Sequence, residues 1–171
     1  EAAEIFAELD ADLQEKLINS FSDAELKYVV DNLFMDDTVD MIEEMPSNVV
    51  KRILKNVNEK DRKVINEILN YPDDCAGSIM TTEFVDLKEN MTVEEAFAKI
   101  KKIGLKKETV YNCYVLDQNR KLSGVIDIKD LLVADRNEKI EDLMDDNIIT
   151  VTTLDDKEDV AKIFDKYDYV A

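Results

Sequence analysis

The chain has 171 residues, of which 22 are basic and 40 acidic, and its formal charge at pH 7 is −18. A protein this acidic is not expected to bind nucleic acid or an anionic lipid surface, because both require basic patches. The sequence contains no histidine, which excludes histidine metal sites and catalytic pairs with an imidazole base. Its two cysteines, Cys75 and Cys113, are too few for a disulfide framework and indicate a reducing compartment.

The acidic residues are concentrated at the amino end, where residues 1–48 hold 14 acids and 2 bases. Residues 49–70 are more basic, with 6 bases against 3 acids, and residues 137–171 are acidic again, with 11 acids against 4 bases. No segment is long and apolar enough for a membrane span, and the acidic start does not resemble a signal peptide. We therefore expect this stretch of sequence to be soluble.

An evenly spaced repeat fills most of the segment 1–70. Its units start at Asp10, Ser22, Phe34, Pro46 and Asn58. Apolar side chains recur seven, eight and eleven places after each start, with Asn66 as the one exception. These positions share one face of a helix, and Asp, Ser and Asn are good N-caps. Helices this short need neighbours, so residues 1–70 are predicted to stack as a superhelix.

The periodicity ends at Tyr71-Pro72, and the chain then alternates strands with helices. Strands are predicted at 84–87, 110–116 and 124–128, with helices at 92–102 and from 130. Thr92 and Glu95, three residues apart, predict a capping box at the start of the first of these helices. The pattern at 79–96 recurs at 143–160, and this second copy is shorter than the first. The predicted fold is α+β, with a helical domain at 1–70, a linker at 71–78, a βαββα unit at 79–136 and a truncated second unit at 137–171.

Two segments of this second part resemble a known family. Residues 71–81, YPDDCAGSIMT, look like the linker of the MgtE magnesium transporters, and residues 124–131, GVIDIKDL, look like the end of that family's first CBS unit. The amino-terminal helical repeat resembles its N domain. The resemblance implies a homodimer, paired through its CBS units, that senses Mg²⁺ on the cytoplasmic side of the cell membrane. In that family a transmembrane pore, absent from this sequence, completes the channel.

The carboxylates are the most abundant candidate ligands in the sequence. Asp36 and Asp40 lie four residues apart on one helix face, where like charges destabilise a helix. Spacing alone leaves open a solvated acidic face, or acids that complement the helix dipole. The resemblance implies instead that Mg²⁺ is held by six acids. They are Glu4, Asp36, Asp40, Asp156, Glu158 and Asp168.

CBS pairs often bind adenine nucleotides, and the resemblance suggests ATP or AMP as a further ligand. Asp130 matches the acid that contacts the ribose, and Lys129 is placed to offset phosphate charge. Asp127 stands where a hydroxyl residue is expected, and its carboxylate would repel a phosphate. Nucleotide binding is therefore the weaker prediction.

Three other functions compete with a magnesium sensor in a channel. One is a CBS module that senses nucleotides for another protein. Another is a protein-interaction scaffold, because the helical repeat also resembles the flagellar motor switch protein FliG. A hydrolase using paired carboxylates is disfavoured, since no pair with separate acid and base roles is evident. We expect the chain not to be an enzyme.

Overall fold

The computed structural model describes residues 2–167. Their contacts group them into two compact units. The first contains the chain up to Thr82 together with Thr152–Tyr167, and the second contains Glu83–Val151. No helix among the described residues is both long and apolar enough to cross a membrane.

The first unit begins with six short helices. The last five are evenly spaced along the chain, and each is preceded by one of the predicted repeat starts as its N-cap. Asp10, Ser22 and Asn58 accept a backbone hydrogen bond through their side chains, and Ser22 forms a capping box with Glu25. The helices are α1 (Ala2–Ala7), α2 (Ala11–Ser20), α3 (Asp23–Val30), α4 (Met35–Glu44), α5 (Ser47–Asn56) and α6 (Glu59–Ile68).

The repeat also determines the core of this unit. Each helix packs against the next but one along the chain, α1 on α3, α2 on α4, α3 on α5 and α4 on α6. This is the packing of a superhelix of short helices, as the sequence predicted. The side chains at the repeat positions are buried or half-buried, except that of Asn66, which is exposed. Ile18, Leu26, Ile53 and Ile65 are among the largest fully buried side chains.

One arginine ties helices of this unit together. Arg52 of α5 donates to the backbone carbonyls of Ile18 and Phe21 at the end of α2, and it pairs with Asp23 at 3.3 Å. The last carbonyls of a helix lack partners within the helix, so this side chain satisfies groups that would otherwise remain open.

The second unit is built on a three-stranded sheet in the order β1-β2-β3. β1 (Val85–Lys88) is parallel to β2 (Asn112–Leu116), and β2 is antiparallel to β3 (Leu122–Asp127). Between β1 and β2 lies α7 (Val93–Ile103), whose N-cap Thr92 forms the predicted capping box with Glu95. α8 (Ile128–Val133) follows β3, which completes the βαββα order, and α9 (Ile140–Leu143) contributes the buried Ile140.

The linker lies against residues 153–157 of the second copy, within the first unit. The backbone amides of Ala76 and Gly77 donate to the carbonyls of Asp155 and Thr153, each at 2.8 Å. A Cβ on Gly77 would lie 2.7 Å from the Tyr71 ring, so this close approach requires glycine. The short 3₁₀ turn Ala76–Ser78 begins at this contact.

The second copy supplies α10 (Lys157–Tyr167). Residues 148–151, which echo the first strand, form no strand within the described chain. A strand needs a neighbour for its backbone groups. In the first copy that neighbour is β2, and residues 2–167 contain no second equivalent of it.

Candidate functional site

The acids of α4 form a group of mutually repelling carboxylates. Its N-cap residue, Phe34, makes no side-chain hydrogen bond to the helix, and Asp36 and Asp37 occupy the first turn. Acids at these positions interact favourably with the helix dipole and with the amide groups that a cap would otherwise satisfy. Asp40 lies one turn later on the same face as Asp36.

Partial burial and mutual repulsion raise the pKa of two members of this group. Partial burial raises the pKa of the Asp37 carboxyl, and the neighbouring charges of Asp36, Asp40 and Glu8 raise it further. Asp40 is exposed as a residue, but partial desolvation of its carboxyl, followed by the charges of Asp36 and Glu44, raises its pKa as well. Both shifts mean that the negative forms are disfavoured here.

Asp36 contributes a further observation. Its Oδ1 atom is buried and accepts no hydrogen bond from any described residue. A buried carboxylate oxygen without a donor is costly, and a cation would supply the missing partner. Carboxylate oxygens are hard ligands of the kind that Mg²⁺ and Ca²⁺ prefer, so the residues at this place fit such an ion.

The site is nevertheless an open one. Within residues 2–167, no three carboxylate or thiol groups are arranged to hold a metal ion by themselves. Mg²⁺ keeps several of its waters and is usually bound through one or two carboxylates, so an open group is compatible with it. Asp36 and Asp40 lie on one face of α4, and the charge of Asp36 acts on Asp40. Asp156 and Glu158 lie at the start of another helix, α10. Glu4 lies exposed on α1, and Asp168 lies outside the described residues.

The acids at the start of α10 are mostly occupied in local contacts. Asp156 is the N-cap of this helix, because its Oδ1 accepts from the amides of Glu158 at 2.8 Å and Asp159 at 3.3 Å. Asp155 accepts from the amide and hydroxyl of Thr152, and these hydrogen bonds lower its pKa. Asp159 pairs with Lys162 at 2.6 Å. The side chain of Glu158 is exposed.

Lys129 and Asp130, the predicted nucleotide contacts, are both exposed on α8. Asp127 is the N-cap residue of this helix but makes no side-chain capping bond, and it is exposed. Burial raises the pKa of the Cys113 thiol to about 11, and the negative charge of Asp127 contributes to this rise. Cys113 is therefore a neutral thiol at pH 7, and Cys75 is likewise buried and free.

Sequence reasoning places Asp37 beside Asp36 and Asp40 but missed Glu8 and Glu44 as members of the acidic group. Glu44 follows Asp40 by four residues, so helix spacing would have found it. Glu8 follows the end of α1 and acts on Asp37 only because the superhelix brings these elements together. No local pattern in the sequence predicts that approach.

Two family models match this chain, and the boundary between them lies in the predicted linker. A family model described as the MgtE intracellular N domain matches residues 1–74, and a CBS domain model matches residues 76–137. The magnesium transporter MgtE of Bacillus subtilis (strain 168) is 28% identical over 168 residues, which is 98% of this chain and 37% of that protein. The chain thus spans about a third of the length of this curated relative.

Two crystal structures resemble the chain over 98% of its length. One is the cytosolic domain of the Mg²⁺ channel MgtE in complex with ATP, with a TM-score of 0.90, 29% identity and 69% of that chain covered. The other is the soluble part of a magnesium transporter, with a TM-score of 0.80, 30% identity and 76% of that chain covered.

A superhelix of short helices followed by a βαββα unit defines the class as a helical N domain joined to a CBS domain. This chain belongs to the MgtE family of magnesium transporters.

Proposed function

We propose that this chain is the Mg²⁺-sensing regulatory region of a magnesium channel. In this proposal, residues 1–70 are the acidic N domain, 71–78 the linker, 79–136 the first CBS unit and 137–171 part of the second. Mg²⁺ bridges acids of the N domain and of the CBS region, and this closes a pore formed elsewhere in the full-length protein. When Mg²⁺ is scarce, the acidic surfaces repel and the pore opens.

The observation that carries the proposal is the acidic group on α4. The buried Oδ1 of Asp36 has no donor among the described residues, and partial burial together with repulsion raises the pKa of Asp37 and Asp40. Without a cation, these carboxylates repel one another and the buried Oδ1 lacks a partner. A bound Mg²⁺ would relieve both costs, and its remaining coordination positions would be available to water or to a second acidic surface.

A ligand shifts a conformational equilibrium only if it binds one state more tightly than the other. One or two carboxylates and several waters make a weak site, whereas the same ion between two acidic surfaces gains further ligands. Mg²⁺ then binds the bridged state more tightly than the open state. Glu4, Asp36 and Asp40 are the proposed ligands from the N domain, and Asp156, Glu158 and Asp168 those from the second CBS unit.

A Mg²⁺ titration of the chain tests this proposal. Millimolar Mg²⁺ should raise the melting temperature and reduce the radius of gyration measured by X-ray scattering. At ten times the dissociation constant, binding to the folded state alone adds about 1.4 kcal/mol to the free energy of unfolding. The variant Asp36→Asn/Asp40→Asn should lose both responses.

The matched control is Glu43→Gln, which removes an exposed acid of α4 that is not among the charges acting on Asp37 or Asp40. This variant should respond to Mg²⁺ as the natural chain does. NaCl at the same ionic strength should not reproduce the effect. A scattering profile that stays constant through the Mg²⁺ titration, or an equal response to NaCl, contradicts the proposal.

Binding of ATP or AMP is a second proposed function. It is supported by the relative solved in complex with ATP, and Lys129 and Asp130 are exposed on the CBS unit of this chain. Isothermal calorimetry with each nucleotide tests it, with Lys129→Gln and Asp130→Asn as the site variants. Strong nucleotide binding without compaction by Mg²⁺ would favour a nucleotide sensor instead of a Mg²⁺ sensor.

We also propose that the chain forms a homodimer through its CBS units. Tyr111, Leu132 and Val133 of the second unit are exposed apolar side chains, which suits an interface. Sedimentation equilibrium tests this proposal, and Leu132→Glu/Val133→Glu should yield a monomer. A natural chain that remains monomeric at high concentration contradicts it.

A further inference from the structure

One short segment is strongly basic although the chain as a whole is acidic. Residues 99–107 contain five lysines and no acid, although the net charge of the chain is −18. They form the last turns of α7 and a 3₁₀ turn, Gly104–Lys106. We call residues 99–107 the lysine turn. At its tip, the side chain of Leu105 is 99% exposed.

Two of the five lysines are engaged in the fold. Lys99 pairs with Asp86 at 3.0 Å, and Lys99 and Lys107 together help to lower the pKa of that carboxyl. The other three, Lys101, Lys102 and Lys106, are exposed, and none forms an ion pair with an acid in the part of the chain that the structure describes. The nearest acid along the chain is Glu108, directly after the turn.

The turn is held firmly by its own unit. Ile100 and Val110 pack against the buried core, the amide of Lys107 donates to the carbonyl of Gly104 at 3.1 Å, and that of Glu108 donates to Glu83 at 3.0 Å. Basic residues at the end of a helix complement its dipole, which accounts for Lys101 and Lys102. It does not account for Lys106 or for a leucine left in water.

We propose that the lysine turn docks on an anionic lipid surface, with Leu105 entering the boundary between headgroups and acyl chains. Lysine stems cover apolar surface while their ammonium groups stay with the headgroups, so three lysines around one leucine suit this position. Juxtamembrane lysines are attracted to anionic leaflets in the same way. The total charge argues against membrane binding, but attraction is local and depends on which side chains face the surface.

An acidic protein surface, such as the acidic residues 1–48 of a second copy, is also complementary in charge. Protein interfaces, however, are depleted in lysine, and their energetic centres favour tryptophan, tyrosine and arginine over leucine. A single exposed leucine among lysines therefore favours lipid. The choice of a bilayer also rests in part on the proposed function, which attaches this chain to a membrane channel.

The sequence has no tryptophan, so Leu105→Trp creates a single fluorescent reporter at the tip of the turn. Mixed with phosphatidylglycerol vesicles and EDTA, this variant should show a blue-shifted emission, and it should show none with phosphatidylcholine vesicles. The salt should be about 0.1 M, where a Debye length of about 10 Å screens the distant acids but not the lysines. At about 1 M the shift should disappear. The matched control is Leu154→Trp, because Leu154 is 69% exposed but is followed by Asp155 and Asp156.

Charge variants of the natural chain provide the second measurement, by co-sedimentation with the same vesicles. Each lysine near an anionic surface contributes about fivefold in affinity, so neutralising three should weaken binding about a hundredfold. Lys101→Gln/Lys102→Gln/Lys106→Gln should show this loss. Lys51→Gln/Lys55→Gln/Lys60→Gln, which changes exposed lysines of the first unit by the same total charge, should not.

Three results would overturn the inference. They are no shift and no co-sedimentation with anionic vesicles, equal losses in the two triple variants, and a blue shift that rises with protein concentration in the absence of vesicles. The last would assign the turn to a second copy of the chain. Because EDTA is present throughout, failure of this test leaves the response to Mg²⁺ unaffected, and failure of the Mg²⁺ titration leaves this one interpretable.

Discussion

Two helices of the first unit begin with runs of acids, but the acids make different contacts in the two helices. At α10, Asp156 caps the helix, Asp155 is held by Thr152 and Asp159 pairs with Lys162. At α4, no side chain caps the helix, Asp36 keeps a buried oxygen without a donor among the described residues, and the remaining carboxylates repel one another. The two helix starts are therefore similar in composition, but local contacts hold the acids of α10 whereas the acids of α4 repel one another.

The difference shows which acids are available to a cation. A carboxylate that already accepts two backbone amides must give up those bonds, or share its second oxygen, in order to bind a metal. A carboxylate that is repelled by its neighbours gains from a cation directly. On this basis α4 is the stronger half of the proposed site, and at α10 the exposed Glu158 is better placed than Asp156.

The largest expected effect comes from removing the cap of α10. Asp156→Ala deletes the acceptor for the amides of Glu158 and Asp159, and loss of an N-cap costs about 1 kcal/mol of stability. The melting temperature measured in EDTA should fall accordingly. Asp156→Asn should retain most of the stability, because asparagine caps helices about as well.

If Asp156→Ala melts at the same temperature as the natural chain, the acid is not a cap in solution. The contrast between the two helices would then be lost. Asp36→Asn, measured beside it, should show no comparable loss, since Asp36 caps no helix and its Oδ1 accepts no hydrogen bond from a described residue.

A smaller effect of opposite sign is expected at α4. Asp37→Asn/Asp40→Asn removes charges that repel Asp36, Glu8 and Glu44. Relief of like charges three or four residues apart is worth about 0.2–0.5 kcal/mol for each pair, so the variant should be more stable than the natural chain in EDTA. Chemical denaturation should resolve this gain, and saturating Mg²⁺ should reduce or reverse it.

The expected gain in stability on α4 depends on the repelling charges, so a control must change another side chain of the same helix. Glu43→Gln changes the same helix without touching the repelling group and should leave the free energy of unfolding within error. A loss of stability in Asp37→Asn/Asp40→Asn would mean that these carboxylates make favourable contacts, and the proposed cation site on α4 would have to be abandoned.

Much of the fold follows from local signals in the sequence. The repeat in residues 1–70 predicted the starts of five helices, because each N-cap and each buried position acts close to the backbone it affects. The Thr92 and Glu95 capping box and the strands near 85, 112 and 122 were predicted for the same reason. The spacing of Asp36 and Asp40 likewise placed both on one helix face.

The remaining features depend on contacts between distant segments. The effect of Glu8 on Asp37 arises from the stacking of helices, and the linker amides of Ala76 and Gly77 find their acceptors in the distant second copy. Whether residues 148–151 become a strand depends on a partner strand and not on their own propensity. The assignment of Asp156 as a ligand came from family resemblance, which carries no information about its capping bonds.

The smallest expected effect is in the pH dependence of the two helices. A carboxyl whose pKa is raised on folding favours the protonated form, so the penalty at Asp37 and Asp40 is full at neutral pH and disappears as the pH falls through their raised pKa. The lowered pKa of Asp155 acts in the opposite sense, since its stabilising contribution is lost as the pH falls through that value.

The gain in stability of Asp37→Asn/Asp40→Asn over the natural chain should therefore shrink on acidification. The loss of stability in Asp155→Ala should shrink as well. Melting curves in EDTA from pH 7 downward measure both differences. If the advantage of the α4 variant stays constant with pH, its origin is not the charge of these carboxylates, and α4 and α10 do not differ in the way described.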